Sequence, residues 1–276
     1  MRKLLKANFS RLFRDKVFRI LMALMSLAGV AIPIIHYLDN KNNGIGWTPD
    51  SSFFSYGLLT PVLLAVLTAF FVGTEYSDGT MRNKLIAGHG RRDIYLANLV
   101  VCIAAGMLLS LAYLTPHTCL GIPLLGAVQT DFPTLVLYMG LNGALIAAFA
   151  SIYTLLAMLC QNKAYTVAGC ILLVFALLFM GVHIVSALNE PEYYQAYSYT
   201  ENGMTYEEDE AKNPNYLFGT KRKVYEFLHD FTPGGQVLQL ANMRTESPLQ
   251  LALYDGMILI VTAVCGMMVF KRKDLK

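Results

Sequence analysis

Charge is scarce in this chain. Only 15% of its 276 residues are Asp, Glu, Lys or Arg, against about 25% in a soluble domain. Hydrophobic residues make up 55%, and the mean hydropathy is +0.45. One water-facing core cannot hide that much apolar surface, so lipid must be the solvent. Cysteine is scarce as well. Cys102, Cys119, Cys160, Cys170 and Cys265 are scattered, with no C-x-x-C spacing. That pattern supports neither a metal site nor a disulfide framework, and it fits small buried hydrophobes.

Several chemical signatures are missing. No G-x-x-x-x-G-K-[ST] phosphate loop is present, no H-E-x-x-H, and no G-x-S-x-G elbow. The chain is therefore expected not to be an enzyme and to hold no cofactor or metal of its own. An intramembrane hydrolase would need a nucleophile–base or metal pair at matching depth, and none is visible. No internal repeat of the secondary-carrier kind is found. Ionisable groups inside the apolar runs are scarce, and only His183 and Asp255 qualify clearly. A proton- or sodium-coupled carrier needs a chain of such groups through the midplane. Both lie near the outer end of their runs, Asp255 at a depth that permits contact with interfacial water. They are candidates for gating.

What is present is six apolar runs, at residues 17–38, 53–73, 94–116, 132–160, 165–187 and 249–270. Each is near the roughly 20 residues that cross a bilayer. The expected fold class is an all-α integral membrane protein with six transmembrane helices in one domain. The first run is long and no A-x-A-like site follows Ile35-His-Tyr-Leu38, so it is expected to be retained. Sixteen Lys and Arg fall in 1–19, 74–93, 160–164 and 271–276, whereas 38–52 and 116–131 hold only Lys41. By the positive-inside rule both termini face the cytoplasm. The net charge of +3 then belongs beside lipid headgroups rather than nucleic acid.

Residues 1–16 read as an amphipathic elbow helix in the headgroup plane. Leu5, Phe9, Leu12 and Phe13 lie on one face, and Lys3, Lys6, Arg11 and Arg14 largely on the other. Asp39–Ser52 reads as turn, with Trp47 at the interface. Pro116–Pro123 reads as an outer segment whose apolar tail dips back or caps the third span. Gly140, Gly143, Ala144, Ala147, Ala148 and Ser151 allow close helix packing in the fourth span, mainly within the chain. The short turn Gln161–Ala164 predicts a tight hairpin of the fourth and fifth spans. The outer loop 188–248 holds an acidic run, Glu207–Glu210, that reads as a solvated face. A helix at 221–231 follows, with Val224, Phe227, Leu228 and Phe231 as its apolar stripe, lying on the leaflet or lidding the spans. Thr232-Pro-Gly-Gly235 should stop it.

Residues 74–92 form a short polar segment between two apolar runs, on the basic side. Glu75 closes the second span, Ser77-Asp-Gly-Thr80 turns, and Met81–Ile86 makes about one and a half helical turns. Arg82 and Lys84 are its polar side, Leu85 and Ile86 its apolar side, and Gly88-His-Gly90 ends it. Such a helix suits a cleft on a soluble partner.

The string Glu75-Tyr-Ser-Asp-Gly-Thr-Met-Arg-Asn-Lys-Leu85, followed by Gly88-His-Gly-Arg91, resembles the segment after the second span in type-2 ABC exporter permeases. The ending Val269-Phe-Lys-Arg-Lys-Asp-Leu-Lys276 is similar to that family's C-terminus. The resemblance implies a bacterial plasma-membrane exporter, of the antimicrobial or cytolytic peptide or drug kind. It implies a second permease copy or paralogue and two separate ATP-binding cassette subunits, which would bind ATP and Mg. It makes 74–92 the coupling helix, with Glu75, Gly79, Thr80, Arg82, Asn83 and Lys84 transmitting the ATPase motion. It places an amphipathic or hydrophobic cargo against the second and fifth spans, with Phe53, Phe54, Leu58, Leu63 and Phe70 as candidate lining. A different class, a non-transporting sensor or anchor that uses 188–248 as receptor, is separated by whether an ATPase activity responds to cargo.

Overall fold

A computed structural model describes the chain except for Gln161, Ala196, Asn202, Gly203, Asp209 and 274–276; for 197–201 and 204–208 it describes the backbone. Among the described residues, six helices are long and apolar enough to cross a membrane. Helix α1, Arg2–Arg14, precedes the first of them, α2, Lys16–Asn43. Asp15 separates the two and caps α2 through Phe18 N at 3.1 Å. Gly44, at a φ of 65°, ends α2 in the left-handed conformation that glycine adopts without a Cβ penalty.

A 3-10 turn, Pro49–Ser52, leads into α3, Tyr56–Ser77. Then come α4, Thr80–Ile86, α5, Arg91–Leu125, α6, Phe132–Leu159, and α7, Lys163–Leu188. Two antiparallel pairs follow: β1, Tyr193–Tyr194, with β4, Ala211–Lys212, and β2, Tyr197–Glu201, with β3, Met204–Glu208. They are two separate two-stranded sheets; the other described elements are helical. Helices α8, Gly219–Phe231, α9, Pro233–Ala241, and α10, Pro248–Arg272, complete it.

The buried core is built from α3, α5 and α6, while α2, α7 and α10 pack around it with their outer faces exposed. Those exposed faces carry Leu24, Leu27, Leu172, Phe179, Leu253 and Ile260, as a lipid-facing surface should. Within a bilayer, helices associate by close packing rather than by apolar burial. Gly29 serves this: a Cβ there would overlap the Tyr113 carbonyl oxygen, so its absence lets α2 lie against α5. Of the small-residue row of α6, Ala148 and Ser151 are buried within the chain, Gly143, Ala144 and Ala147 are half-buried, and Gly140 is exposed with open space beside it; Ser151 Oγ accepts from Thr262 Oγ1 of α10 at 2.8 Å.

Four expectations need correction. The segment 116–125 is not a loop but the outer end of α5, which runs for 35 residues. Pro116 and Pro123 sit inside that helix, and side chains such as Thr115 and Thr118 take up carbonyls of the preceding turn. The fourth and fifth spans are not a closely packed pair, because α7 lies mainly against α3 and α9. Thr232-Pro-Gly-Gly235 ends α8 but also starts α9, with Thr232 Oγ1 accepting from Gly235 N at 3.3 Å. The chain thus turns back into the bundle, and α9 is buried along nearly its whole length between α3, α6 and α7. A Cβ at Gly234 would overlap the Leu177 carbonyl, and one at Gly181 would overlap the Gly234 carbonyl. Finally, Cys102 and Cys170 are buried, but Cys119 is exposed.

Candidate coupling site

Glu75 is the third residue from the end of α3, where the helix meets the turn Asp78–Gly79. Gly79 has a φ of 67°, which reverses the chain sharply enough to bring α4 back beneath α3. Met81 is then buried and Leu85 packs against the core. The same side of α4 carries Lys84 inward, onto the Glu75 carboxylate.

Glu75 is 0% exposed. Its Oε1 accepts from Arg11 NH1 of α1 at 2.5 Å and from Lys84 Nζ. Its Oε2 accepts from Asn98 Nδ2 of α5 at 2.9 Å. Asn98 Oδ1 in turn accepts from Asn8 Nδ2 of α1 at 2.7 Å, and Asn8 Oδ1 accepts from Lys84 Nζ at 3.0 Å. Arg11 also donates to the Phe71 carbonyl at 3.1 Å and lies 3.7 Å from the centre of the Phe71 ring. One carboxylate thereby ties four elements: the N-terminal helix, the end of α3, the short helix α4 and the start of α5. Burial lowers the Lys84 pKa from its ordinary value, while the Glu75 charge and hydrogen bond pull the other way. Charge-assisted bonds of this kind are about twice as strong as neutral ones, and removing one partner of a buried pair costs about 3–5 kcal/mol.

More contacts close the same end of the bundle. Tyr76 OH donates to the Met158 carbonyl at 2.8 Å. Arg91 donates to the carbonyls of Phe270, at 3.0 Å, and Lys273. Lys273 Nζ donates to the Leu159 carbonyl, and the N-terminal ammonium pairs with Asp93 at 3.8 Å.

The residues expected to meet a partner therefore divide. Glu75 and Lys84 face inward and hold α4 from within. Arg82 and Asn83 are exposed, and Gly79 and Thr80 are half-buried at the start of α4. Ile86, expected on the inner apolar side, is 74% exposed. The sides assigned to Lys84 and Ile86 are reversed, because the turn at Gly79 orients α4 by Met81 and by the Glu75 carboxylate. On α1, Arg11 turns inward, and Phe13 is exposed against Phe18.

The candidate lining residues separate as well. Phe53 and Phe54 are buried, packed on each other and on His117 and Tyr138 within the chain. Leu58 is exposed, and Leu63 and Phe70 are half-buried, with Lys163 Nζ 5.0 Å from the Phe70 ring centre. His183 is exposed beside Tyr225. Asp255 is not in reach of interfacial water but 1% exposed, and neither of its oxygens has a hydrogen-bond partner among the described residues. The returning helix α9 brings Gln236 beside it, and this covers the carboxyl.

Asn8, Arg11 and Asn98 are site residues that the sequence reading did not select. Their signal is in the sequence: Asn8 sits between Leu4 and Leu12 on one helical stripe, and Asn98 interrupts an apolar run. A second cluster, at the opposite end, was also not selected. Ser52 Oγ lies 3.0 Å from His117 Nε2 and 3.3 Å from His36 Nδ1, and its carbonyl accepts from Tyr113 OH at 2.8 Å. His117 stacks on Tyr113, and His36 on Trp47.

The comparisons with known proteins fit this geometry. A family profile described as "ABC-2 family transporter protein" matches residues 4–180, from the N-terminal helix into α7. The match takes in every side chain of the Glu75 cluster. A search of curated proteins returns no match.

Proposed function

The chain belongs to the ABC-2 transporter family and is its membrane-spanning permease component, and from that premise we propose that it carries an amphipathic or hydrophobic cargo, a peptide or drug, out of a bacterial cell. The basic end is cytoplasmic, and α4 is the coupling helix. Its exposed residues Arg82, Asn83 and Ile86 sit in a groove of a separate ATPase subunit. Two such subunits, which bind ATP and Mg, act on a dimer of permeases formed with a second copy or a paralogue.

The observation that supports this reading best is the division of labour on α4. Arg82, Asn83 and Ile86 are exposed, while Met81 and Lys84 anchor the helix inside. A docking helix needs both, since a push at its outer face must reach the spans without being lost in a loose loop. Here the push passes through Lys84 to Glu75, and from Glu75 to α3, α5 and α1 together. The basic end then moves as one block, as in a rigid-body transition.

Arg82→Glu tests this. Arg82 makes no ion pair among the described residues, so thermal stability should be unchanged. Co-purification of the ATPase and cargo-stimulated ATP hydrolysis should both be lost. Normal transport by that variant would remove α4 from the coupling role. Recovery of the wild-type chain with no P-loop subunit would favour the sensor or anchor reading instead.

A further inference from the structure

A cavity of about 580 Å³ opens at the end of the bundle away from the Glu75 cluster. That is within the range of small-ligand sites. Its walls are the outer end of α7, with His183, Ser186 and Glu190, and the start of α8, with Tyr216, Lys221 and Tyr225. We propose that this pocket seats the headgroup of a zwitterionic aminophospholipid, with its acyl chain lying on the exposed stripe of α7 below.

Three observations carry this. The first is depth. Helix α7 has 26 residues, so it is about 39 Å long, against a hydrocarbon core of about 30 Å. When the helix is centred, each end overhangs by about 4–5 Å, and His183 lies about 7–8 Å from the Leu188 end. His183 at the pocket floor is therefore about 3 Å inside the edge of the hydrocarbon core, where the acyl chains begin, and Glu190, beyond the helix end, is among the headgroups.

The second is continuity. Leu172, Phe175 and Phe179 are exposed and follow His183 down α7 at helical spacing, so an apolar track runs directly into a polar pocket. The α8 wall also exposes Phe218, Val224 and Phe227 beside the basic run Lys221-Arg222-Lys223, the composition of a helix at a lipid interface.

The third is charge. The pocket holds one base and one acid. Lys221 suits a phosphate. Glu190 suits a primary ammonium, and its carboxylate is fixed by Asn213 Nδ2 at 2.8 Å. Phosphatidylglycerol, which has the phosphate but no ammonium, would leave Glu190 unpaired. Two aromatic walls are held in place: Arg222 lies 5.8 Å from the Tyr216 ring centre, and Tyr225 is 6.3 Å from His183.

The inference uses the orientation proposed above only to name the leaflet as the outer one. Its test does not depend on orientation or on an ATPase, so its failure leaves the coupling reading untouched. The full chain, with whatever subunits accompany it, is purified in mild detergent and offered phosphatidylethanolamine and phosphatidylglycerol of equal chain length. Retained lipid is counted by native mass spectrometry. Wild type should retain phosphatidylethanolamine with about tenfold preference, the scale of one charge-assisted contact. Glu190→Gln should bring that preference close to unity while binding persists. Lys221→Gln should weaken retention of both lipids. Lys221 is exposed, and Glu190→Gln keeps an oxygen that can accept from Asn213, so neither variant should disturb folding. Equal retention in wild type and both variants would overturn the proposal. So would crosslinking of residue 183 or 221 to a second copy, with no retained lipid, which would make this face a protomer contact.

Discussion

At the basic end of the bundle one carboxylate is shared by two cations and an amide; at the opposite end one serine hydroxyl is shared by two imidazoles, among stacked aromatic rings. Both fasteners join helices that are distant in sequence, but they should fail differently. Glu75 is wholly buried, and its loss leaves Arg11 and Lys84 without their counter-charge. Such a tie holds completely or breaks. The bonds around Ser52 are between neutral polar groups and can be lost singly, each with about 0.5–1.5 kcal/mol of net stability. If a partner pushes on the α4 end, as proposed above, that end would stay one block while the other end could rearrange in steps.

The sharpest break of the comparison is Glu75→Gln. It keeps the shape of the side chain but removes the charge, and should destabilise the detergent-solubilised chain by about 3–5 kcal/mol in thermal unfolding. ATPase coupling should be lost with it. Ser52→Ala should cost less, about 1–2 kcal/mol, because it removes two neutral contacts. If the two variants are equally unstable, the distinction between a charged and a neutral fastener is wrong.

The smallest effect concerns α8 and α9, which cover the same end as Ser52. Burial lowers the His229 pKa from its ordinary value near 6.5, with Asp230 pulling it back up. The packed hairpin of α8 and α9 therefore binds fewer protons than the opened one, and its stability is complete above pH 6.5. It declines as the pH falls through the window just below. The protection of the amides of residues 234–241, taken relative to their intrinsic base-catalysed exchange rate, should be greater at pH 7 than at pH 5, and His229→Gln should flatten that difference. A pH response that survives in His229→Gln would shift the effect to another group.

The six spanning helices and the short helix α4 were legible because apolar run length and turn residues are local signals. The elbow helix was legible, but its apolar face was assigned to Leu5, Phe9, Leu12 and Phe13, whereas the buried stripe is Leu4, Asn8 and Leu12; an asparagine at that spacing could have been read as a buried contact. The partner of each polar group was not legible. That Lys84 turns inward while Ile86 faces out depends on where α3 delivers Glu75, a fact of packing rather than of spacing. Helix α9 was missed because Pro-Gly-Gly serves as a stop for one helix and a start for the next. The far end of α5 was missed because proline usually breaks a helix, whereas this helix runs on through both Pro116 and Pro123. The tyrosine alternation Tyr197-Ser-Tyr199 in the outer loop was a strand signal that composition alone had masked.

Asn98 and His117 lie on the same helix, α5. About 28 Å of helix axis separates them. If that length acts as a beam, a tilt of about 5° about one fastener moves the other by about 2–3 Å, a distance set by the helical rise. That exceeds the tolerance of a hydrogen bond. A small rotation at the end that α4 holds is therefore enough to part Ser52 from its imidazoles, and tightening those imidazole contacts should, by reciprocity, resist the same rotation.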